Sequence, residues 1–158
     1  MRRKPAVAGY FYPQQRKELK KMIESMVKPG QVKKPASALI SPHAGYIYSG
    51  PVAAAVFSSV FLPDRFVILG PSHRGIESRF AIMKKGIWET PLGEVSVDTN
   101  LAELIINQSE LITEDEEAHL GEHSLEVQLP FIQFFKSNFS LVPICIAYHA
   151  SFEELEQL

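Results

Sequence analysis

Between residues 14 and 28, apolar side chains fall at Leu19, Met22, Ile23, Met26 and Val27, with Lys and Glu between them. Intervals of three and four draw one apolar stripe along a helix, and Pro29-Gly30 predicts where it ends. The short apolar run from Ala36 to Ile40 predicts a strand, although a buried helix fragment fits that length too, and it leads into Ser41-Pro42-His43-Ala44-Gly45. From Val52 to Val60 the chain is apolar on nearly every face, which predicts a helix packed on a sheet, with Pro51 in its first turn. Phe66 to Leu69 is the clearest strand, and Gly70-Pro71-Ser72-His73-Arg74-Gly75 follows it as a loop. Strand, helix and strand at this spacing predict a βαβ unit, whose parallel strands would carry His43 and His73 to one sheet edge.

Further along, Phe80 to Met83 and Glu94 to Val97 predict strands around a Thr90-Pro91-Leu92-Gly93 turn, paired as a hairpin, and Asp98 suits the cap of a helix bearing Leu101, Leu104 and Ile105. The acidic stretch Thr113 to Glu117 introduces His119-Leu120-Gly121-Glu122-His123-Ser124-Leu125-Glu126. A helix with Leu125, Leu129 and Ile132 on one face follows, and Pro130 inside it predicts a kink. Leu141 to Ala147 reads as a last buried strand before Tyr148-His149-Ala150. The pattern is that of one α/β domain over residues 1–158, a largely parallel sheet with helices packed on its faces.

Composition narrows the function. The 158 residues are 46% hydrophobic and 22% charged, enough apolar material for a core and too much for disorder. Sixteen basic against 18 acidic side chains leave a net charge of −2, so no broad field favours nucleic acid or an anionic membrane. The longest apolar run, around Ala53 to Val56, is far short of the roughly 18 residues of a membrane span. A single cysteine, Cys145, flanked by Ile144 and Ile146, fits a reducing, cytoplasmic setting and a buried thiol.

Loops after parallel strands gather where α/β proteins bind ligands, which singles out the histidines. Imidazoles at two such loops can hold iron, copper or zinc when further positions stay open. His43 and His73 are therefore the candidate metal ligands. His123 stands three residues before Glu126 at an expected helix start, where a carboxylate can orient an imidazole for proton transfer; helix capping explains the same residues equally well. Tyr46, beside Ile47 and Tyr48, together with Ser72 and Arg74, are candidate substrate contacts. The loop from Gly70 to Gly75 lacks the Lys-Ser/Thr ending of a phosphate-binding loop, so nucleotide binding is disfavoured.

Five motifs in order give these residues a family context: Ala8-Gly9-Tyr10-Phe11-Tyr12, Ser41-Pro42-His43-Ala44-Gly45-Tyr46, Leu69-Gly70-Pro71-Ser72-His73, Thr90-Pro91-Leu92-Gly93, and Glu122-His123-Ser124-Leu125-Glu126 with Leu129-Pro130-Phe131. The chain resembles the Memo family, the B component of the AmmeMemoRadiSam group, similar in fold to LigB-type class III extradiol dioxygenases. The resemblance implies an α/β sandwich with a metal-site-like pocket, His43 and His73 at the metal position and His123 as a third pocket histidine. It also implies that family chains continue past this one, adding a cysteine ligand and an Asp-containing, histidine-bearing loop; Cys145, in a strand, does not match that cysteine.

With two histidines alone, metal binding by this chain is expected to be weak or absent, iron or copper ranking before zinc. Three functions follow as expectations: metal-dependent redox or oxygen chemistry on a small aromatic molecule; a non-catalytic peptide- or phosphotyrosine-binding module in which Arg74 meets the anion; and a zinc-dependent hydrolase. Homo-oligomerisation stays open. Ser151-Phe152-Glu153-Glu154 opens a capped helix within two turns of Leu158, so an N-terminal portion of a larger fold is expected, with apolar side chains of the last strand and helix exposed.

Overall fold

A computed structural model describes residues 1–157; Leu158 lies outside the described residues. The elements run β1 (Arg2–Arg3), α1 (Arg16–Met26), α2 (Tyr46–Ser58), β2 (Arg65–Pro71), β3 (Phe80–Ile82), β4 (Ile87–Thr90), β5 (Gly93–Val97), α3 (Thr99–Gln108), β6 (Ile112–Glu114), α4 (Leu129–Phe135), β7 (Ser140–Ile146) and α5 (Phe152–Glu156), with short 3-10 turns at Glu117–His119 and Glu126–Gln128. They form a mixed α/β fold around one curled sheet of mostly parallel strands.

The organising strand is β7. It pairs in parallel with β2 along its whole length, from Arg65 opposite Ser140 to Pro71 opposite Ile146. It also pairs with β5 in parallel near its start and with β3 antiparallel near its end. Its side chains alternate accordingly: Leu141 and Cys145 pack with Trp88, Val95 and Leu125, while Val142 and Ile144 pack with Phe80 and Ala102 of α3. Both faces are buried, as the unbroken apolar run Leu141–Ala147 predicts. On the face of β2, a third cluster joins Leu19 and Ile23 of α1, Ala53 and Phe57 of α2, and Phe131 and Ile132 of α4. α3 starts as predicted, with the Asp98 carboxylate accepting from the Leu101 N–H at 3.0 Å.

Five expectations need correcting. Ala36 to Ile40 forms no strand: every residue in it is exposed, Ile40 by 94%, and it lies between Pro35 and Pro42 without the neighbouring strand that would satisfy its backbone groups. The hairpin is β4–β5, turning at Thr90–Gly93, and β3 instead joins β6 and β7. Pro130 does not kink a helix but begins α4, where its missing N–H is an orphan anyway, after a 3-10 turn has carried the chain in. Pro51, in contrast, lies inside α2, which starts five residues earlier, at Tyr46. The exposure expected at the last strand is found elsewhere. β7 is buried, whereas Val67 and Leu69 of β2 are 43% and 48% exposed, and of α5 only Phe152 is a large exposed apolar residue.

Candidate functional site

At the carboxyl end of β2 the chain turns through Ser72 into His73, as the sequence predicts. The loop carrying His43 is held opposite it without a strand of its own. Its anchors are polar: the Gln128 amide donates to the Pro42 carbonyl at 3.1 Å, and the Tyr46 N–H donates to the Phe11 carbonyl at 2.8 Å. His123 enters from the loop after the first 3-10 turn. The ring centres stand 4.4 Å apart for His73 and His123, 5.3 Å for His43 and His73, and 6.0 Å for His43 and His123. The three imidazoles line a cleft of about 630 Å³ walled by Tyr10, Phe11, Ile47 and Tyr48.

The carboxylate that serves these rings is Glu122, whose only signal in the sequence is its place in Glu122-His123-Ser124-Leu125-Glu126. It is fully buried, and four donors converge on it: the His73 N–H on Oε2 at 2.6 Å, and the His73 Nδ1 at 3.0 Å with the His123 and Ser124 N–H groups at 2.8 Å on Oε1. Burial opposes its ionisation, but the N–H groups of Ser124, His73 and His123 and the His73 ring outweigh it and hold the carboxyl at about 2. An ionised Glu122 accepts the His73 Nδ1 proton, which leaves the Nε2 lone pair of that ring free. Burial lowers the His43 pKa, and the adjacent His73 lowers it further. Burial also lowers that of His123, against the pull of Glu122. Both rings are therefore neutral at pH 7, the form that binds a metal or accepts a proton.

The cluster passes a simple test of fit. Two imidazoles on one ion, each nitrogen about 2.0–2.1 Å from it, have ring centres about 4.5–5.2 Å apart for angles from octahedral to tetrahedral; His73 and His123 at 4.4 Å and His43 and His73 at 5.3 Å come within 0.1 Å of that range, and His43 and His123 at 6.0 Å lie beyond it. Donor atoms of His73, Glu122 and His123 lie within 4.8 Å of one another. Oε1 of Glu122 takes three donors and Oε2 one, which sets the carboxylate behind His73 while leaving it within ligand reach of an ion shared with His73 and His123.

The remaining predicted site residues divide. Ser72 is buried under the cleft, its N–H donating to the Ile146 carbonyl and its hydroxyl without a partner. Arg74 does not line the cleft; a Cβ on Gly121 would stand 2.6 Å from a guanidinium nitrogen, so Arg74 lies against that glycine. Tyr46 is a core residue, 1% exposed, donating its hydroxyl to the Val127 carbonyl at 2.7 Å, and the exposed aromatic walls are Tyr10 and Tyr48. Glu126 faces away from His123. Fully buried, it pairs with Arg3 at 2.7 Å and accepts from the Ala6 and Val7 N–H groups and the Tyr12 hydroxyl.

Arg3 completes this second cluster. Its guanidinium donates to the His119 and Glu122 carbonyls and lies 4.1 Å from the Trp88 ring centre. His119 is buried beside Cys145, Nδ1 to Sγ 3.4 Å. Burial, then Arg3, lowers the His119 pKa to about 4, and burial, then Glu122, pushes the thiol up to about 12. A neutral thiol beside a neutral imidazole is a packing pair, not a nucleophile. His149 lies outside the cleft.

A sequence model of the family described as Memo-like protein matches residues 3–156. Among curated relatives, MEMO1 family proteins of Thermotoga petrophila and Pyrobaculum aerophilum are 45% and 49% identical over 92% and 90% of this chain, covering 58% and 55% of their own lengths. One from Methanothermobacter thermautotrophicus is 45% identical over 91% of this chain and 56% of its own. The chain thus spans a little over half the length of these relatives.

Proposed function

The chain belongs to the Memo-like protein family, and on that footing we propose that its cleft is a mononuclear metal site for redox or oxygen chemistry on a small, electron-rich aromatic molecule. The observation that carries the reading is the convergence of three imidazoles on one aromatic-walled cleft, with Glu122 fixing the proton of His73 on Nδ1. His43 and His73 would hold the ion; two protein ligands would leave positions open and make binding by this chain weak. Iron or copper bound there, in preference to zinc, would supply Lewis acidity and one-electron chemistry toward O₂ and an aromatic hydroxyl.

The protein's own groups do the rest. Glu122 holds His73 in one tautomer and orientation. His123, packed edge-on against Phe11 with ring centres 4.7 Å apart, accepts the substrate hydroxyl proton, and the resulting imidazolium is stabilised by Glu122, 3.4 Å from its Nδ1. Tyr10, Phe11 and Tyr48 line the cleft and would flank a planar ring. An anionic phosphotyrosine would need a fixed cation in the cleft, and Arg74 lies against Gly121 instead.

Anaerobic titration of the metal-free chain with Fe(II), Cu(II) and Zn(II) tests this. We expect one site in each chain, with affinity reduced at least roughly tenfold by His43→Ala and by His73→Ala. Binding indifferent to both substitutions, or no binding of any of the three ions, would overturn the reading. Preference for zinc over the other two, beyond the ordinary affinity series, would redirect it to hydrolysis.

A further inference from the structure

Gly70 stands inside β2, next to its last residue, in backbone outside the left-handed region, so conformation does not call for glycine there. Space does. A Cβ on Gly70 would lie 2.7 Å from Ser124 Oγ, 2.8 Å from Leu125 Cδ2 and 3.2 Å from Ser124 Cβ, where ordinary contact begins at 3.4 Å. Glycine within a strand often marks such a close approach by another piece of chain. What approaches here is the segment between the two 3-10 turns, and that segment carries His123.

Hydrogen bonds close the approach. The buried Ser124 donates its hydroxyl to the Pro71 carbonyl at 2.9 Å and its N–H to Glu122 Oε1 at 2.8 Å. Glu122 in turn accepts from the His73 N–H and Nδ1. From Ser124 to Pro71, along the chain to His73, across to Glu122 and back to Ser124, the contacts form a closed circuit, and His123 is held between two of its members. One side of the circuit is stiff: β2 pairs with β7 at all seven of its positions, and the Ser72 N–H continues the ladder onto the Ile146 carbonyl at 2.8 Å. The other side is irregular backbone between turns. A larger residue at position 70 therefore moves the His123 segment and not the strand.

We propose that Gly70 and Ser124 are positioning residues: Gly70 gives the room, and Ser124 the tie, that hold the His123 ring 4.4 Å from that of His73. Both act through the main chain of residues 122–125. On the proposed metal reading, this distance decides whether His123 reaches a substrate hydroxyl beside an ion on His43 and His73; the distance itself does not depend on that reading.

The test is the nuclear Overhauser effect between the His73 and His123 rings in the metal-free chain, with that between the His43 and His73 rings as internal reference. In Gly70→Ala, relieving the tightest contact takes a shift of about 0.7 Å in a close-packed interior. Because the effect falls with the inverse sixth power of distance, we expect the His73–His123 signal to drop by about half while the reference holds. Ser124→Ala adds no atom, so it keeps the test standing should Gly70→Ala not fold; it should lower the same signal by less. Gly70→Ala with Ser124→Gly removes both Ser124 atoms that stand in the way and should recover the signal to the level of Ser124→Ala. An unchanged signal in Gly70→Ala and Ser124→Ala overturns the proposal. So does a fall in the reference, which would mean that β2 moved, or a loss that Ser124→Gly does not relieve. Fe(II) titration keeps the two ideas apart. Affinity should be unchanged in Gly70→Ala, and a fall as large as that of His73→Ala also overturns the positioning role. A wild-type chain that binds no metal sinks the metal reading and leaves the distance result intact.

Discussion

Two histidines and two glutamates lie within eight residues, His119, Glu122, His123 and Glu126, and the fold sends them to two different regions. His119 and Glu126 go to a closed cluster around Arg3, where every partner is protein and every ring or carboxylate is sealed from water. Glu122 and His123 go to the cleft, where Glu122 is held from behind so that His73 and His123 can be unsatisfied in front. The same residue types give stability in one region and leave reactivity in the other. What decides is access: His119 is sealed in the core even though its Nε2 has no partner, whereas His73 and His123 open onto the cleft.

Substitutions in each region test that contrast. The largest effect is expected from Arg3→Met, which leaves Glu126 buried without its cation: about 3–5 kcal/mol of stability lost in urea unfolding. A cost below about 1 kcal/mol, typical of a surface pair, would erase the distinction between the regions.

Acid should act next. The folded-state pKa of His119 is lowered to about 4, below the ordinary 6.5, so the unfolded chain takes up the proton first as pH falls. Its contribution is present above pH 6.5 and is lost as pH falls toward 4, by about 3 kcal/mol. His43 and His123, also lowered but partly exposed, add a smaller loss in the same window. Glu122 adds a separate loss from about 4.5 down to about 2. Denaturant unfolding at pH 7.5 and 4.5 reads the first window, and His119→Asn should flatten it; an unchanged slope would mean that the cleft imidazoles govern it.

In the cleft, Glu122→Gln removes the charge but keeps the shape, and metal affinity should fall by about 10- to 100-fold while the fold survives. The readout is the same metal titration, with His119→Asn as the control that should leave affinity unchanged. The smallest effect belongs to Tyr46→Phe, which loses one hydrogen bond to the Val127 carbonyl: about 1 kcal/mol in stability and no change in metal binding. A lost metal site in that variant would return Tyr46 to the cleft.

The histidine loops were legible because a strand followed by a turn carries its own signal. Phe66 to Leu69 and Leu141 to Ala147 are apolar runs long enough to be buried strands, and they pair with each other. His43 and His73 meet as predicted even though Ala36 to Ile40 supplies no paired strand, because Gln128 and Phe11 hold the loop by contacts distant in sequence. Helical spacing pairs Glu126 with His123 only if the segment is an α-helix. The segment is two 3-10 turns with Gly121 between them, so three residues do not set two side chains on one cleft wall. The signal for Glu122 was a carboxylate just ahead of a turn whose first N–H groups are free. Nothing local distinguished Tyr46 from Tyr48; only the direction of α2 buries one and exposes the other.

The position of β7 has a consequence in time. It holds β2, β5 and β3 together, yet among the seven strands of the described residues it comes last in the chain. At about 5–20 residues per second, the roughly 70 residues between Pro71 and Ser140 take about 4–14 s to emerge from a ribosome. During those seconds β2 is a finished apolar strand with no neighbour on either edge. The nascent chain therefore depends on whatever shields such segments during translation, and sheet formation is governed by contacts far apart in sequence, the slow class of folding step.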